Sequence, residues 1–182
     1  MSKALLIIDY TNDFVATDGA LTAGKPAQAI APRVNALAQQ FLTAGDFVFL
    51  PTDQHVPGDP YHPETKLYPP HNVEGTPGRD YYGELQTWYE ANKGNARVMA
   101  FPKHRYSSFA GTPLDQWLRE RGVTDVHIIG VCTDICVLHT AIDAYNLNYK
   151  ITIHQDAVAA FNPEGQTFAL AHFKNVLGAT VV

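Results

Sequence analysis

Cys136 sits where a cysteine can become a nucleophile. The run Val131-Cys132-Thr133-Asp134-Ile135-Cys136 passes from an apolar strand straight into a helical segment. Thr133 or Asp134 can cap that helix, which puts Cys136 in or near its first turn. The helix dipole there favours a thiolate, and free backbone N–H groups of the same turn can hold an oxyanion. The plainer reading is a small buried hydrophobe, the common fate of a free cysteine. Cys132 lies one helical turn back. The two could form a redox couple, although the usual redox spacing is Cys-x-x-Cys. Asp9 ends an apolar strand, where burial raises a carboxyl pKa toward that of a general base. Loop N–H groups could equally satisfy it. Lys103 follows a proline. Near Cys136 it would stabilise a thiolate, and near Asp9 it would keep the carboxylate charged. Alone, Lys103-His104-Arg105 reads as a solvated basic turn.

A second group falls between residues 53 and 71: Asp53, His55, His62, Glu64 and His71. Asp53 and His55 are two apart, so in extended chain their side chains share a face. Two histidines with one or two carboxylates suit a borderline divalent ion that keeps positions open for water or substrate. These residue types do not separate zinc from manganese or iron. Phe14, Tyr61, Tyr68, Tyr81, Tyr82 and Tyr106 add aromatic surface near the same places, for stacking on a flat ring or for packing under a loop.

The elements that must position these groups alternate. Apolar runs at Ala4–Ile8, Asp46–Pro51, Arg97–Phe101, Val126–Val131, Tyr149–Ile153 and Ala179–Val182 read as strands. Helices are expected from Pro26 to Gly45, Glu84 to Tyr89, Thr112 to Arg121, Thr133 to Tyr145 and Pro163 to Leu177. Thr52 to Tyr82 is a long segment rich in Pro, Gly and Asp, and such a loop in a compact domain is usually functional. Continuous apolar strands with helical crossovers predict an α/β fold. It has three layers, doubly wound, with a mostly parallel six-stranded sheet and helices on both faces. In such a sheet ligands bind beyond the carboxyl ends of the strands. Asp9, Asp53, His55, Lys103, His104, Cys132, Cys136 and Asp156 all fall on that edge.

Composition narrows the class. The 182 residues fit a single domain, 1–182, able to bury roughly 70% of its unfolded surface. Hydrophobic residues at 46% and charged residues at 17% exclude disorder as the main state. A net charge of −5 argues against nucleic-acid binding or a basic membrane anchor. Two cysteines exclude a disulfide framework. The apolar N-terminal run is too short for a signal peptide, and no stretch reaches the length of a membrane span, so a cytoplasmic location is expected. Dinucleotide and nucleoside triphosphate binding are disfavoured, since neither Gly-rich fingerprint is present.

Taken together, the motifs resemble those of the nicotinamidases, within the isochorismatase-like cysteine hydrolase superfamily, over essentially the whole chain. Ile8-Asp9-Tyr10-Thr11-Asn12-Asp13-Phe14 is similar to the opening Asp-x-x-Asn-Asp-Phe motif. Thr52-Asp53-Gln54-His55 is similar to the metal motif, and Tyr68 to Thr76 to the segment supplying a further metal histidine. Gly130 to Val137 resembles the nucleophile motif. The chain departs from many members at Thr11 (Gln there), Tyr68 (Trp) and Asn72 (Cys). The resemblance implies hydrolysis of nicotinamide to nicotinate and ammonia through a Cys136 thioester, in NAD salvage. It gives Asp9 and Lys103 as the other catalytic residues, and the backbone of Cys132 and Cys136 as the oxyanion hole after a cis peptide. It implies one divalent metal ion, zinc foremost with manganese or iron as alternatives, on Asp53, His55, His71 and Glu64, with His62 in range of the Glu64 position. Phe14, Tyr68 and Tyr106 would wall the ring. A homo-oligomer acting on a small molecule, without nucleic acid or membrane, is expected.

Overall fold

The computed structural model describes residues 2–182. Six strands, β1 (Ser2–Ile8), β2 (Phe47–Asp53), β3 (Val98–Lys103), β4 (Val123–Val131), β5 (Lys150–Ala159) and β6 (Thr180–Val181), form one sheet in the order β3-β2-β1-β4-β5-β6. Every pairing is parallel. β1 is buried from Ala4 to Ile8, and β4 from Val126 to Val131. Such unbroken apolar runs need cover on both faces. On one face, α3 (Ala31–Thr43) lays Val34, Leu37, Ala38 and Phe41 against Leu5 and Ile7, beside α4 (Glu84–Asn92). On the other, α5 (Leu114–Glu120), α6 (Leu138–Asn146) and α7 (Pro163–Asn175) cover Ala4, Leu6 and Ile8. The expected doubly wound, three-layer α/β sheet is observed. No helix among the described residues is long and apolar enough to cross a membrane.

The helix expected from Pro26 to Gly45 is two helices. A short α1 (Asn12–Val15) precedes α2 (Lys25–Ala29), and α3 starts anew after Ile30. Pro32 has no N–H to return to the Gln28 carbonyl, so it opens a helix instead of continuing one. The expected strand Tyr149–Ile153 runs on to Ala159. Its ladder with β4 slips between Ile128 and Gly130, where Ile153 and Val158 are the successive partners. The slip leaves room for the polar Gln155-Asp156. Asp156 therefore does not reach the carboxyl edge expected of it. It faces outward and pairs with Arg33 at 2.9 Å.

The strand order reverses between β1 and β4, and this switch point is where a doubly wound sheet opens a crevice. Gly130 makes the approach close. Its φ is +111°, and a Cβ there would lie 2.1 Å from the Ile8 carbonyl oxygen. Only glycine lets the end of β4 lie this near the end of β1.

Away from this edge, His127 and His154 meet under α3, Nδ1 to Nε2 at 2.9 Å, with the His127 ring against Phe41. Both are buried. Burial, then His127, pulls His154 down to about 4, and burial also lowers His127. Asp125 lies 3.7 Å from His127 Nε2, with Arg33, Asp156, Lys3 and Asp46 nearby. The unfolded chain, with histidines titrating near 6.5, takes up protons that the folded pair resists. Stability should therefore fall as pH drops from about 6.5 to about 4, with His154 contributing on the order of 2–3 kcal/mol. Urea midpoints across that range should show a shallower decline for His154→Gln than for the parent.

Candidate active site

Asp9 leaves β1 with φ +53°, a left-handed turn that aspartate tolerates better than most residues. Its N–H donates to the Pro51 carbonyl at 3.2 Å, and its side chain is fully buried. Oδ1 accepts the Asp53 N–H at 2.7 Å. Oδ2 lies 2.8 Å from Lys103 Nζ. Lys103 closes β3, in register with Asp53 on β2. It is also fully buried, so the solvated basic turn is excluded for this residue. Its ammonium donates to Arg105 O at 3.1 Å and to Cys136 Sγ at 3.5 Å, and stands 3.8 Å from Asp53 Oδ1.

Cys136 arrives from the other side of the switch point. A π-helical turn, Thr133–Val137, joins β4 to α6. Neither Thr133 nor Asp134 caps it. Cys132 takes the cap position, and the Thr133 hydroxyl instead donates to Gln166 Oε1 on α7 at 2.6 Å. The reason is burial: Thr133 points into the interface with α7, where its hydroxyl needs a partner. The Cys132 carbonyl accepts N–H groups from Ile135 and Val137, and the Val131–Cys132 peptide is cis. Both cysteines are free.

Burial raises the Asp9 carboxyl above its ordinary value, while Lys103 opposes the rise. Burial likewise pushes the Cys136 thiol well up, again opposed by Lys103. Burial pulls the Lys103 ammonium down, but Asp9, then Cys136 and Asp53, drive it above its ordinary value. Lys103 is thus held charged beside a carboxyl and a thiol that burial makes reluctant to ionise. Burial, then Asp134 and Asp9, push the Cys132 thiol up, and no hydrogen bond ties its side chain to Lys103 as Cys136 is tied.

The long loop folds back over this edge. Short 3-10 turns at Pro63–Lys66 and Pro77–Arg79 shape it, and His55 bridges to Val73. One ligand atom each from Asp53, His55, Glu64 and His71 falls within 4.8 Å of the others. His71 donates Nδ1–H to the Pro69 carbonyl at 2.8 Å, which turns Nε2 inward. That Nε2 is buried with no hydrogen-bond partner, 3.4 Å from Asp53 Oδ2 and 3.6 Å from Glu64 Oε2. Burial pulls His71 down, yet Asp53, Glu64 and the Pro69 carbonyl push it up to about 10. Two imidazoles, two carboxylates and an orphaned inward nitrogen fit a divalent cation. His62 is used otherwise. Its Nδ1 accepts the Glu64 N–H at 3.3 Å, and its Nε2 faces the His104 carbonyl at 3.0 Å. Both nitrogens are engaged, so His62 supports Glu64 from behind.

Phe14, Tyr68 and Tyr106 line a narrow cleft together with Cys136, Asp53 and Glu64. Leu21, Ile135 and Phe161 complete it. Sequence reading missed these three. Phe161 follows β5 at the carboxyl edge and was within reach of the edge rule, whereas Leu21 lies in a loop without a pattern. The other aromatics lie elsewhere. Tyr61 is 90% exposed, Tyr81 pairs its hydroxyl with Thr52, and Tyr82 packs edge-on against Tyr10. His104 Nδ1 is spent on the Gln54 carbonyl.

Replacing Lys103 by Met should be severe, because it leaves two buried carboxylates facing each other without their cation. Folding stability should drop by about 3–5 kcal/mol. Urea denaturation of Lys103→Met against the parent checks this, and a loss under about 1 kcal/mol would contradict a structural role for the buried pair.

Comparison with known proteins agrees with this geometry. The isochorismatase domain model matches residues 3–182. A solved structure described as a pyrazinamidase/nicotinamidase from Streptococcus mutans superposes with a TM-score of 0.98 at 56% identity, covering 100% of both chains. The nicotinamidase/pyrazinamidase of Mycobacterium tuberculosis is 33% identical over 94% of each chain. A pyrazinamidase of Pyrococcus horikoshii, solved in complex with zinc, superposes with a TM-score of 0.86 at 29% identity, covering 100% of this chain and 99% of that one. A family model spanning nearly every residue, matched by full-length relatives with the same fold, makes this chain a member of the isochorismatase domain family.

Proposed function

We propose that the chain is a nicotinamidase, hydrolysing nicotinamide to nicotinate and ammonia in NAD salvage. The observation that carries the reading is one contact: the Lys103 ammonium held between Asp9 and Cys136, beside a four-residue metal cluster and under an aromatic-walled cleft. Cys136 is the nucleophile. Its thiol proton passes to Asp9 as Sγ attacks the carboxamide carbon. The raised carboxyl of Asp9 suits it to accept that proton. Lys103 keeps the Asp9 and Cys136 charges compensated as the proton moves. Backbone N–H groups of Cys132 and Cys136 receive the oxyanion. Asp9 returns the proton to the amide nitrogen, the C–N bond breaks and ammonia leaves a thioester on Cys136. Asp9 then takes a proton from water as the water oxygen attacks the thioester carbon, the C–S bond breaks, Sγ recovers that proton from Asp9, and the nicotinic acid released ionises to nicotinate. Phe14, Tyr68 and Tyr106 hold the ring faces.

Asp53, His55, Glu64 and His71 would hold the divalent ion, with zinc favoured by the Pyrococcus horikoshii relative solved with that metal. Such an ion, when bound, supplies a Lewis-acidic contact for the pyridine nitrogen that orients the ring. The same reading makes this a single-domain, homo-oligomeric, cytoplasmic enzyme that needs neither nucleic acid nor membrane.

Ammonia release from nicotinamide, with zinc-loaded parent beside Cys136→Ala, tests the proposal. The parent should turn over, and Cys136→Ala should lose at least about a thousandfold in kcat. Cys132→Ser should stay active, since only its backbone has a role. Turnover surviving in Cys136→Ala overturns the thioester route. No release by a folded, zinc-bound parent overturns nicotinamide as the substrate.

Stripping the metal should mainly weaken nicotinamide binding. Isothermal titration of stripped and loaded Cys136→Ala measures this, and equal affinities would exclude the pyridine contact.

A further inference from the structure

Asn72 follows the ligand His71 and lies in neither strand nor helix, yet it is fully buried. Its N–H donates to Asp13 Oδ2 at 2.7 Å. Its carbonyl accepts the His55 N–H at 3.1 Å. Its side-chain Oδ1 accepts the Thr11 hydroxyl at 2.8 Å, while Nδ2 has no partner. Its φ is +43°, a conformation asparagine enters more easily than most side chains. One residue thus joins the two histidine stretches of the loop and ties both to the segment after β1.

The neighbours on that segment engage the loop mainly through its backbone. Asn12 reaches the carbonyls of Pro77 and Asp80 at 3.0 and 2.9 Å. Asp13 rests against Gly78, where a Cβ would lie 2.3 Å from the carboxylate. The Thr11–Asn72 bond is different, because side chain meets side chain and each partner depends on the other's identity. A buried Nδ2 without an acceptor is a cost. It is offset if the rest of the amide fixes something that matters.

We propose that Thr11 and Asn72 are a matched pair of positioning residues: their hydroxyl–amide bond sets the backbone at residue 72 and so makes His55 and His71 converge on one divalent ion. The inference rests on reading Asp53, His55, Glu64 and His71 as the metal site. Outer partners that orient metal ligands commonly control affinity by tenfold or more. Neither side chain touches the ion, and both act through the ligands.

Zinc affinity of the metal-stripped full-length chain, read by competition with a chromophoric chelator and without nicotinamide, tests the pair. Thr11→Val keeps the shape and removes the hydroxyl, and should weaken zinc by about tenfold or more. Thr11→Ser restores the donor and should stay within about threefold of the parent. Asn72→Gly keeps the left-handed backbone and loses the amide. It should match Thr11→Val, and the double variant should be no weaker than the weaker single one. Melting of the metal-free variants reports folding separately. Parent-like affinity in Thr11→Val, no rescue by Thr11→Ser, or losses that multiply in the double variant would overturn the pair. If Thr11→Val does not fold, parent-like affinity in Asn72→Gly overturns it equally. A parent that binds no zinc removes the metal reading beneath it. A parent that binds zinc but releases no ammonia overturns the proposed activity and leaves the pair standing.

Discussion

A fully buried ammonium with three anionic or ionisable neighbours governs the carboxyl edge of this sheet. Lys103 Nζ reaches Asp9 at 2.8 Å, Cys136 at 3.5 Å and Asp53 at 3.8 Å. A charge without water must be compensated by fixed partners. The partners here come from β1, from the turn after β4 and from the end of β2. Burying the lysine therefore demands that these ends converge. The register that sets Asp53 opposite Lys103 and the left-handed turn at Asp9 both serve that convergence.

The same cation links the two halves of the chemistry. Asp9 accepts the Asp53 N–H through Oδ1 and faces Lys103 through Oδ2. The carboxyl groups of Asp9 and Asp53 thus share a counterion, and the Asp53 backbone N–H holds the Asp9 side chain. The residue proposed to move protons is held by the backbone of a residue proposed to hold the ion. Positional precision at one centre is inherited by the other, without a flexible connection between them.

The long loop is fastened from outside as well as by its own bonds. Its own contacts are short 3-10 turns, a bridge from His55 to Val73 and a few backbone hydrogen bonds. Thr11, Asn12 and Asp13 clamp it at residues 72, 77 and 80 through side chains and backbone. A run of three polar residues after an apolar strand is thereby explained as a fastening, and the buried polar groups of loop and segment satisfy one another.

The alternation of apolar runs with helical patterns was enough, by itself, to determine a doubly wound parallel sheet, because strands covered on both faces and joined by helices have few other solutions. The edge rule then placed Asp9, Asp53, Lys103 and Cys136 together. What the pattern could not carry was anything dependent on distance between segments far apart in sequence. Asp156 looked like an edge residue until a register slip carried β5 past it. Thr133 looked like a cap until α7 offered its hydroxyl Gln166. His62 and Glu64 both lay in range of the metal motif with Glu64 preferred, and the structure engages both His62 nitrogens elsewhere while Glu64 stands with Asp53, His55 and His71. Leu21 reached the cleft from a loop without periodicity. Residue type and local period determine which elements form and which edge is chemical. Which atoms meet there is decided by packing, since burial forces each polar group to find a partner wherever the fold has brought one.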